Sequence, residues 1–273
     1  MIWLKASFSS SPLRFSSTCT TGRPLHRINE GASQSRGVAV ENPPQTVTGR
    51  RPGKRFSPPA PLLQGLYAAL RTAYGEQPWW PADSPFEVMV GAVLTQNAAW
   101  TNVEKAIAQL KAMRLLDPDA VLAIEESALA AAIRPAGYFN VKARRLRNLC
   151  AFLSTQGGVR PFARRDAAVQ RAALLGVNGI GPETADDILL YALDRPVFVI
   201  DTYTRRLMQR FALADGRESY EELRHGFERA LGSDLYLYQQ FHALIVIHAK
   251  QACRKTPRCA SCEIHAICPT GSA

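Results

Sequence analysis

Leu174-Leu175-Gly176-Val177-Asn178-Gly179-Ile180-Gly181-Pro182-Glu183-Thr184-Ala185 is the stretch on which the fold turns. It reads as the end of one helix, a tight turn and the start of another. Gly179 and Gly181 tolerate positive φ and close backbone approach, and Pro182 suits the first turn of a helix. Ala185, Ile188, Leu189 and Ala192 carry that helix's apolar face onward at i, i+3, i+4, i+7 spacing. Backbone N–H groups at such a turn point outward beside the positive end of a helix dipole, which suits a phosphate without demanding any base sequence. A plain corner between two helices would use the same residues, so the turn alone does not decide the function.

On both sides of the turn the apolar residues keep helical spacing. Leu62, Leu66, Ala69 and Leu70 show it, as do Phe86, Val90, Val93 and Leu94, and again Leu223, Phe227, Ala230 and Leu231. Only Val197-Phe198-Val199-Ile200 looks extended, and four residues are too few for a sheet, so the expected class is all-α. The 273 residues suffice for two modest domains. No apolar run approaches the roughly 20 residues of a membrane-spanning helix, which excludes a membrane partner of that kind.

Lys and Arg number 33 against 23 Asp and Glu, a net charge of +10 that makes a polyanion the first partner to test. Residues 1–57 hold nine of the basic residues and two of the acidic ones, together with much Ser, Thr, Gly and Pro. Such a segment buries too little apolar surface to offset its ordering entropy, so 1–59 is expected to be a disordered basic tail and Pro-rich linker. An organellar transit peptide, an extended start to a bacterial reading frame and a basic arm for DNA all fit its composition. With no apolar h-region followed by a small-residue cleavage site, a secretory signal is not expected, and the expected location is the cytoplasm, with organellar targeting as the alternative.

The cysteines are therefore read as thiols of a reducing compartment. Cys253, Cys259, Cys262 and Cys268 fall within the last 21 residues as C-x5-C-x2-C-x5-C, and four thiolates so close together suit zinc or an iron–sulfur cluster. Cys19 lies in the presumed tail, and Cys150 follows Leu146 and Leu149 on a helical face as a small hydrophobe would. Eighteen residues after Glu183 stands Asp201, between the extended run and a helix carrying Thr204, Leu207, Met208 and Phe211. An Asp there is a natural N-cap, and a capping carboxylate that faces a cleft is also placed to meet developing positive charge.

With these motifs in this order, the chain over about residues 62–268 resembles the endonuclease III superfamily of helix-hairpin-helix base-excision DNA glycosylases. The resemblance rests on the hairpin Val177–Gly181, on Asp201 at the matching distance and on the terminal cysteines. It implies a [4Fe–4S] cluster on the four cysteines, zinc being the runner-up. It also implies double-stranded DNA containing a damaged base as partner, and a monomer. Leu94-Thr95-Gln96-Asn97 looks like the family loop whose Gln fills the gap left by an extruded base. Gly137-Tyr138-Phe139-Asn140-Val141-Lys142-Ala143 looks like its second backbone-contacting loop, continued by Arg144, Arg145 and Arg147. A Gln satisfied locally and a solvated basic face are the competing readings of those two segments.

Three departures sharpen the expectation. Bifunctional members carry a Lys where this chain has Glu183, and a carboxylate cannot form the Schiff base that strand cleavage requires. Asp201 remains to activate water or to stabilise an oxocarbenium-like sugar, which implies base release that leaves an abasic site. Trp79-Trp80-Pro81 followed by Phe86-Glu87 resembles the monofunctional 3-methyladenine branch, whose aromatic pocket would take a flipped, positively charged alkylated purine. Hydrophobic core is the competing reading of these Trp residues. The first cysteine gap is five residues where the family usually has six.

The expected architecture is a helical module at 85–195, with a second lobe from 60–84 plus 196–273 bearing the cluster loop 253–268. DNA would cross between them, with Gln96, Asn97, Tyr138, Lys142, Gly179, Ile180, Gly181 and Thr184 toward the backbone and the base edged by Trp79, Trp80, Pro81, Glu183 and Asp201. Two alternatives stay open: a glycosylase/lyase using another amine such as Lys250, and a non-catalytic DNA-binding iron–sulfur protein.

Overall fold

The computed structural model describes residues 56–271, so Cys19 and most of the expected tail lie outside the described residues. Twelve α-helices occur among them and no strand. They are α1 (Ala60–Tyr74), α2 (Pro85–Leu94), α3 (Trp100–Ala112), α4 (Pro118–Ala123), α5 (Glu126–Ala132), α6 (Phe139–Thr155), α7 (Val159–Ala163), α8 (Ala167–Leu175), α9 (Pro182–Asp187), α10 (Thr202–Arg210), α11 (Tyr220–Leu231) and α12 (Leu235–Gln251). The all-α expectation holds. No helix is long and apolar enough to cross a membrane.

The buried residues form two hydrophobic clusters. One runs from Phe86 to Val197 and is centred on α2, in which Phe86 through Leu94 are all buried. A helix apolar on every side needs neighbours all round it, and Ser84 starts this one by accepting the Glu87 N–H at 3.2 Å. The other cluster gathers α1, α10, α11 and α12 around Phe198, which stacks on Phe227 with ring centroids 4.2 Å apart. Its first member is Phe56, buried against Gly226, where a Cβ would lie 2.1 Å from the Phe56 ring. The described residues therefore begin within the segment expected to be a tail, with one aromatic ring filling a slot in the core.

A π-helical turn, Ile188–Ala192, continues α9 and passes the chain from one cluster to the other. Leu189 belongs to the first and Leu190 to the second, while Tyr191 packs against both. Arg171 of α8 spans the same seam, reaching Asp186 at 2.7 Å and Glu221 of α11 at 2.6 Å. The extended run Val197–Ile200 is buried without a ladder. Side chains serve its amides instead: Phe198 N–H donates to Glu228 at 3.1 Å and Ile200 N–H to Tyr220 Oη at 3.4 Å.

Candidate active site and nucleic-acid interface

The hairpin turns on Gly179, at φ +95°, and closes with the Ile180 N–H on Val177 O at 3.0 Å. A Cβ at Gly179 would fall 2.2 Å from Arg145 Cγ, so the side chain from α6 occupies the space that only glycine leaves. Gly181, the N-cap of α9, has nothing within 4 Å of where its Cβ would be. Ile180 itself points inward and is buried, so the residue plugs the hairpin and offers no side chain to a partner.

Gln96 follows α2 and is tied to this turn. Its Nε2 donates to Gly179 O at 3.1 Å and to Thr184 Oγ1 at 2.9 Å, and its Oε1 accepts from Arg145. Thr184 is buried by the same contact, whereas the neighbouring Asn97 is exposed in a left-handed conformation. Tyr138, the left-handed N-cap of α6, is 71% exposed.

Lys142 requires a correction. Expected at a phosphate, it is 1% exposed, and its Nζ donates to Leu94 O at 2.9 Å and Ala136 O at 2.8 Å. The ammonium thus ties the end of α2 to the turn before Tyr138. Burial, with Arg145 adding to it, pulls Lys142 down to about 8. The signal was in the sequence: Lys142, Leu146, Leu149 and Leu153 share one helical stripe, and its other members are apolar and buried.

Asp201 is the N-cap of α10, 8% exposed, with Oδ1 accepting the Thr204 N–H at 2.7 Å. Its Oδ2 lies 3.7 Å from His242 Nε2 on α12, at ion-pair distance. Burial alone would raise this carboxyl, but the imidazole and the Thr204 amide outweigh it and hold Asp201 below its ordinary value. Nearby carboxylates move the other way. Burial first and the Asp201 charge second raise Glu183, and burial raises Asp187 well above the usual range. Of the three carboxyls, Asp201 alone is shifted toward its charged form.

Sequence reasoning missed the partners of that carboxylate. Tyr191 Oη stands 2.7 Å from His242 Nδ1, and the Tyr191 ring lies 5.3 Å from Trp80. Trp80 has φ +57°, meets Trp100 edge-on at 5.5 Å and rests on Gly91, where a Cβ would come within 3.0 Å of its Nε1. Trp80, Tyr191, His242 and Asp201 therefore form one continuous chain of contacts. Trp79 is half-buried with its indole N–H unpartnered, and Pro81 is exposed. Asp187, one helical turn after Glu183, was legible from spacing; His242 was not, since only tertiary packing brings it to Asp201.

At the other end of α10, Arg210 Nη1 reaches Cys253 Sγ at 2.9 Å. Cys253, Cys259, Cys262 and Cys268 line one recess together with Arg210 and His248. No three Cys, His, Asp or Glu side chains among the described residues converge closely enough to hold a single ion.

A sequence profile of HhH-GPD superfamily base excision DNA repair proteins matches residues 90–232. The chain belongs to that superfamily. A Methanocaldococcus jannaschii HhH-GPD relative, provisionally named DNA repair glycosylase MJ1434, is 45% identical over 210 residues, 76% of this chain and 96% of its own. Endonuclease III of Escherichia coli K12 is 27% identical over 186 residues, 68% of this chain and 83% of its own. Among solved structures, the Helicobacter pylori 3-methyladenine DNA glycosylase MagIII bound to 1,N6-ethenoadenine is 31% identical, with TM-score 0.62 over 69% of this chain and 97% of that one. A non-covalent endonuclease III–DNA complex shares the HhH-GPD fold at TM-score 0.68 and 20% identity, over 78% of this chain and 96% of that one.

Proposed function

We propose that this protein is a monofunctional DNA glycosylase, releasing an alkylated purine that has been flipped out of a duplex. The observation that carries the reading is Asp201, a buried carboxylate at ion-pair distance from His242 and held below its ordinary value, near Glu183, which stands where strand-cleaving relatives carry the amine. An ionised carboxylate there stabilises positive charge developing on the sugar, or takes a proton from the attacking water. Glu183 lacks the nucleophilic amine that a covalent sugar intermediate needs. The aromatic wall of Trp80, Trp100 and Tyr191, beside three carboxyl groups, favours a base that carries positive charge. The 3-methyladenine glycosylase named above points to the same substrate class.

Duplex DNA would reach the face that carries the Gly179–Gly181 turn, Asn97 and Tyr138. Backbone groups of the glycines would meet phosphates, and the exposed Tyr138 ring would enter the stack beside the extruded base. Gln96 would exchange its bonds to Gly179 and Thr184 for contacts in the vacated space. The four cysteines line one recess, and the likeness to endonuclease III favours a [4Fe–4S] cluster there, with zinc the runner-up. Such a cluster would be held by Cys253, Cys259, Cys262 and Cys268 and would brace the loop that α10 grips through Arg210.

A labelled duplex with one N-methylated purine, incubated with the protein and run with and without hot alkali, tests the reading. Breakage only after alkali supports it; breakage without alkali overturns the monofunctional assignment. Lys250 is then the amine to examine, because burial lowers it while the Asp201 charge reaches it. Borohydride trapping lost in Lys250→Met would establish that role.

A further inference from the structure

We infer that His242 is a positioning residue for the proposed reaction: a buried imidazolium, held by Tyr191, that aims Asp201 into the pocket and keeps it charged. The inference rests on the catalytic reading of Asp201. Its starting point is the proton count along the chain of contacts. Tyr191 Oη lies 2.7 Å from His242 Nδ1 and 3.3 Å from Gln239 O. A carbonyl only accepts, so when the single hydroxyl proton goes to Gln239, Nδ1 must itself carry a proton and donate to Tyr191.

Nε2 faces Asp201 Oδ2 at 3.7 Å and has no hydrogen-bond partner. An unprotonated Nε2 would set a lone pair against a carboxylate, which the buried site would not tolerate. Nε2 therefore carries a proton in either arrangement, and with the Tyr191 proton on Gln239 O both ring nitrogens do.

The charges around the ring agree. Asp201 at the start of α10, Asp187 and Glu183 of α9, and Tyr191 of the π turn face His242; on α12 itself, Lys250 is coupled to Asp201. Burial opposes the imidazolium, yet the acidic neighbours outweigh it and raise His242. The arrangement explains why Asp201 is shifted toward its charged form while two neighbouring carboxyls are shifted away from it. Without the imidazolium, burial and the neighbouring carboxyls would act on Asp201 unopposed by its largest lowering cause, and it would take up its proton at higher pH. Asp201 Oδ1 accepts from Thr204 and Oδ2 lies at ion-pair distance from His242, so the two contacts orient the carboxylate. Tyr191 also packs on Trp80, so the element that fixes the imidazole belongs to the aromatic wall proposed for the base.

The deciding measurement needs no substrate: nitrogen-15 shifts of the imidazoles in the full chain, with the His242 signal assigned by its loss in His242→Gln. Expected is a doubly protonated ring through pH 7 in the wild type, titrating at lower pH in Asp201→Asn. A neutral ring at pH 6–7 in the wild type, or a titration unmoved in Asp201→Asn, overturns the inference.

Single-turnover base release gives the functional counterpart. In His242→Gln the acid limb is expected to move up by about one pH unit or more, with affinity for duplex DNA unchanged. Tyr191→Phe should move the limb the same way by less, and it keeps the aromatic packing should His242→Gln fold poorly. An acid limb that stays in place while melting temperature and DNA affinity fall together would make His242 merely structural. Failure of the reading beneath is distinguishable: Asp201→Asn would then release base normally, whatever the state of His242.

Discussion

A carboxylate at a helix N-cap usually serves the backbone, but Asp201 has two oxygens and only Oδ1 is committed to Thr204. Asparagine caps about as well as aspartate. Asp201→Asn should therefore keep the cap and lower the melting temperature only through the lost His242 pair, mainly below about pH 6.5, while base release falls by about 10²–10⁴-fold, the range for a lost charged or acid–base group. Normal release by that variant would return Asp201 to a purely capping role. The pair with His242 also sets a pH window for stability. The depressed Asp201 contributes fully above the ordinary carboxylate range and is lost as pH falls through its folded value. The raised His242 contributes fully below about 6.5 and is lost as pH rises through its own. Denaturant melts of wild type and His242→Gln should differ most between about pH 4 and 6.5. A difference that grew toward pH 9 would contradict the ion pair. At the pocket wall, Trp79→Ala with Trp80→Ala should lose release of methylated purines; if the double variant matches the parent, the aromatic residues are core alone.

The hairpin separates two glycine functions that sequence reading joined. Gly179→Ala meets both a positive φ and the Arg145 stem, so a loss of about 1–3 kcal/mol is expected in denaturant melts. Gly181→Ala has open space and φ −90°, so any loss should appear in DNA affinity while stability holds. Equal destabilisation of the two variants would refute that division. Legibility follows the same boundary between local and distant. The Gly179–Gly181 turn and the Asp201 cap were readable because a turn and a cap are set within a few residues. Lys142 was misread when its charge was weighed before its place on an apolar stripe. Tyr191 and His242 were out of reach, because they are 51 positions apart and nothing in either segment announces the other. Phe56 was hidden for a similar reason: its slot is made by Gly226, far along the chain.

Over the whole molecule, α10 stands between two sites, with Asp201 at its first turn and Arg210 on Cys253 at its last. Cys253 is buried in the second cluster and Cys262 and Cys268 pack on it, so the loop is part of that core. Cys262→Ser should lower the iron and sulfide content of purified protein and its melting temperature together; full iron with an unchanged melt would argue against the assigned ligand. Affinity for undamaged duplex should fall linearly on a log–log plot against salt, by about 0.9 per phosphate contacted. The order of the two cores along the chain has a consequence during synthesis. Residues 86–197 emerge as one block and can collapse at once, but α1 leaves the ribosome first and belongs with α11 and α12, which leave last. At translation rates of about 5–20 residues per second, α1 waits on the order of ten seconds with Leu63, Leu66 and Leu70 uncovered. For that interval the apolar stripe of α1 is the surface most in need of a chaperone.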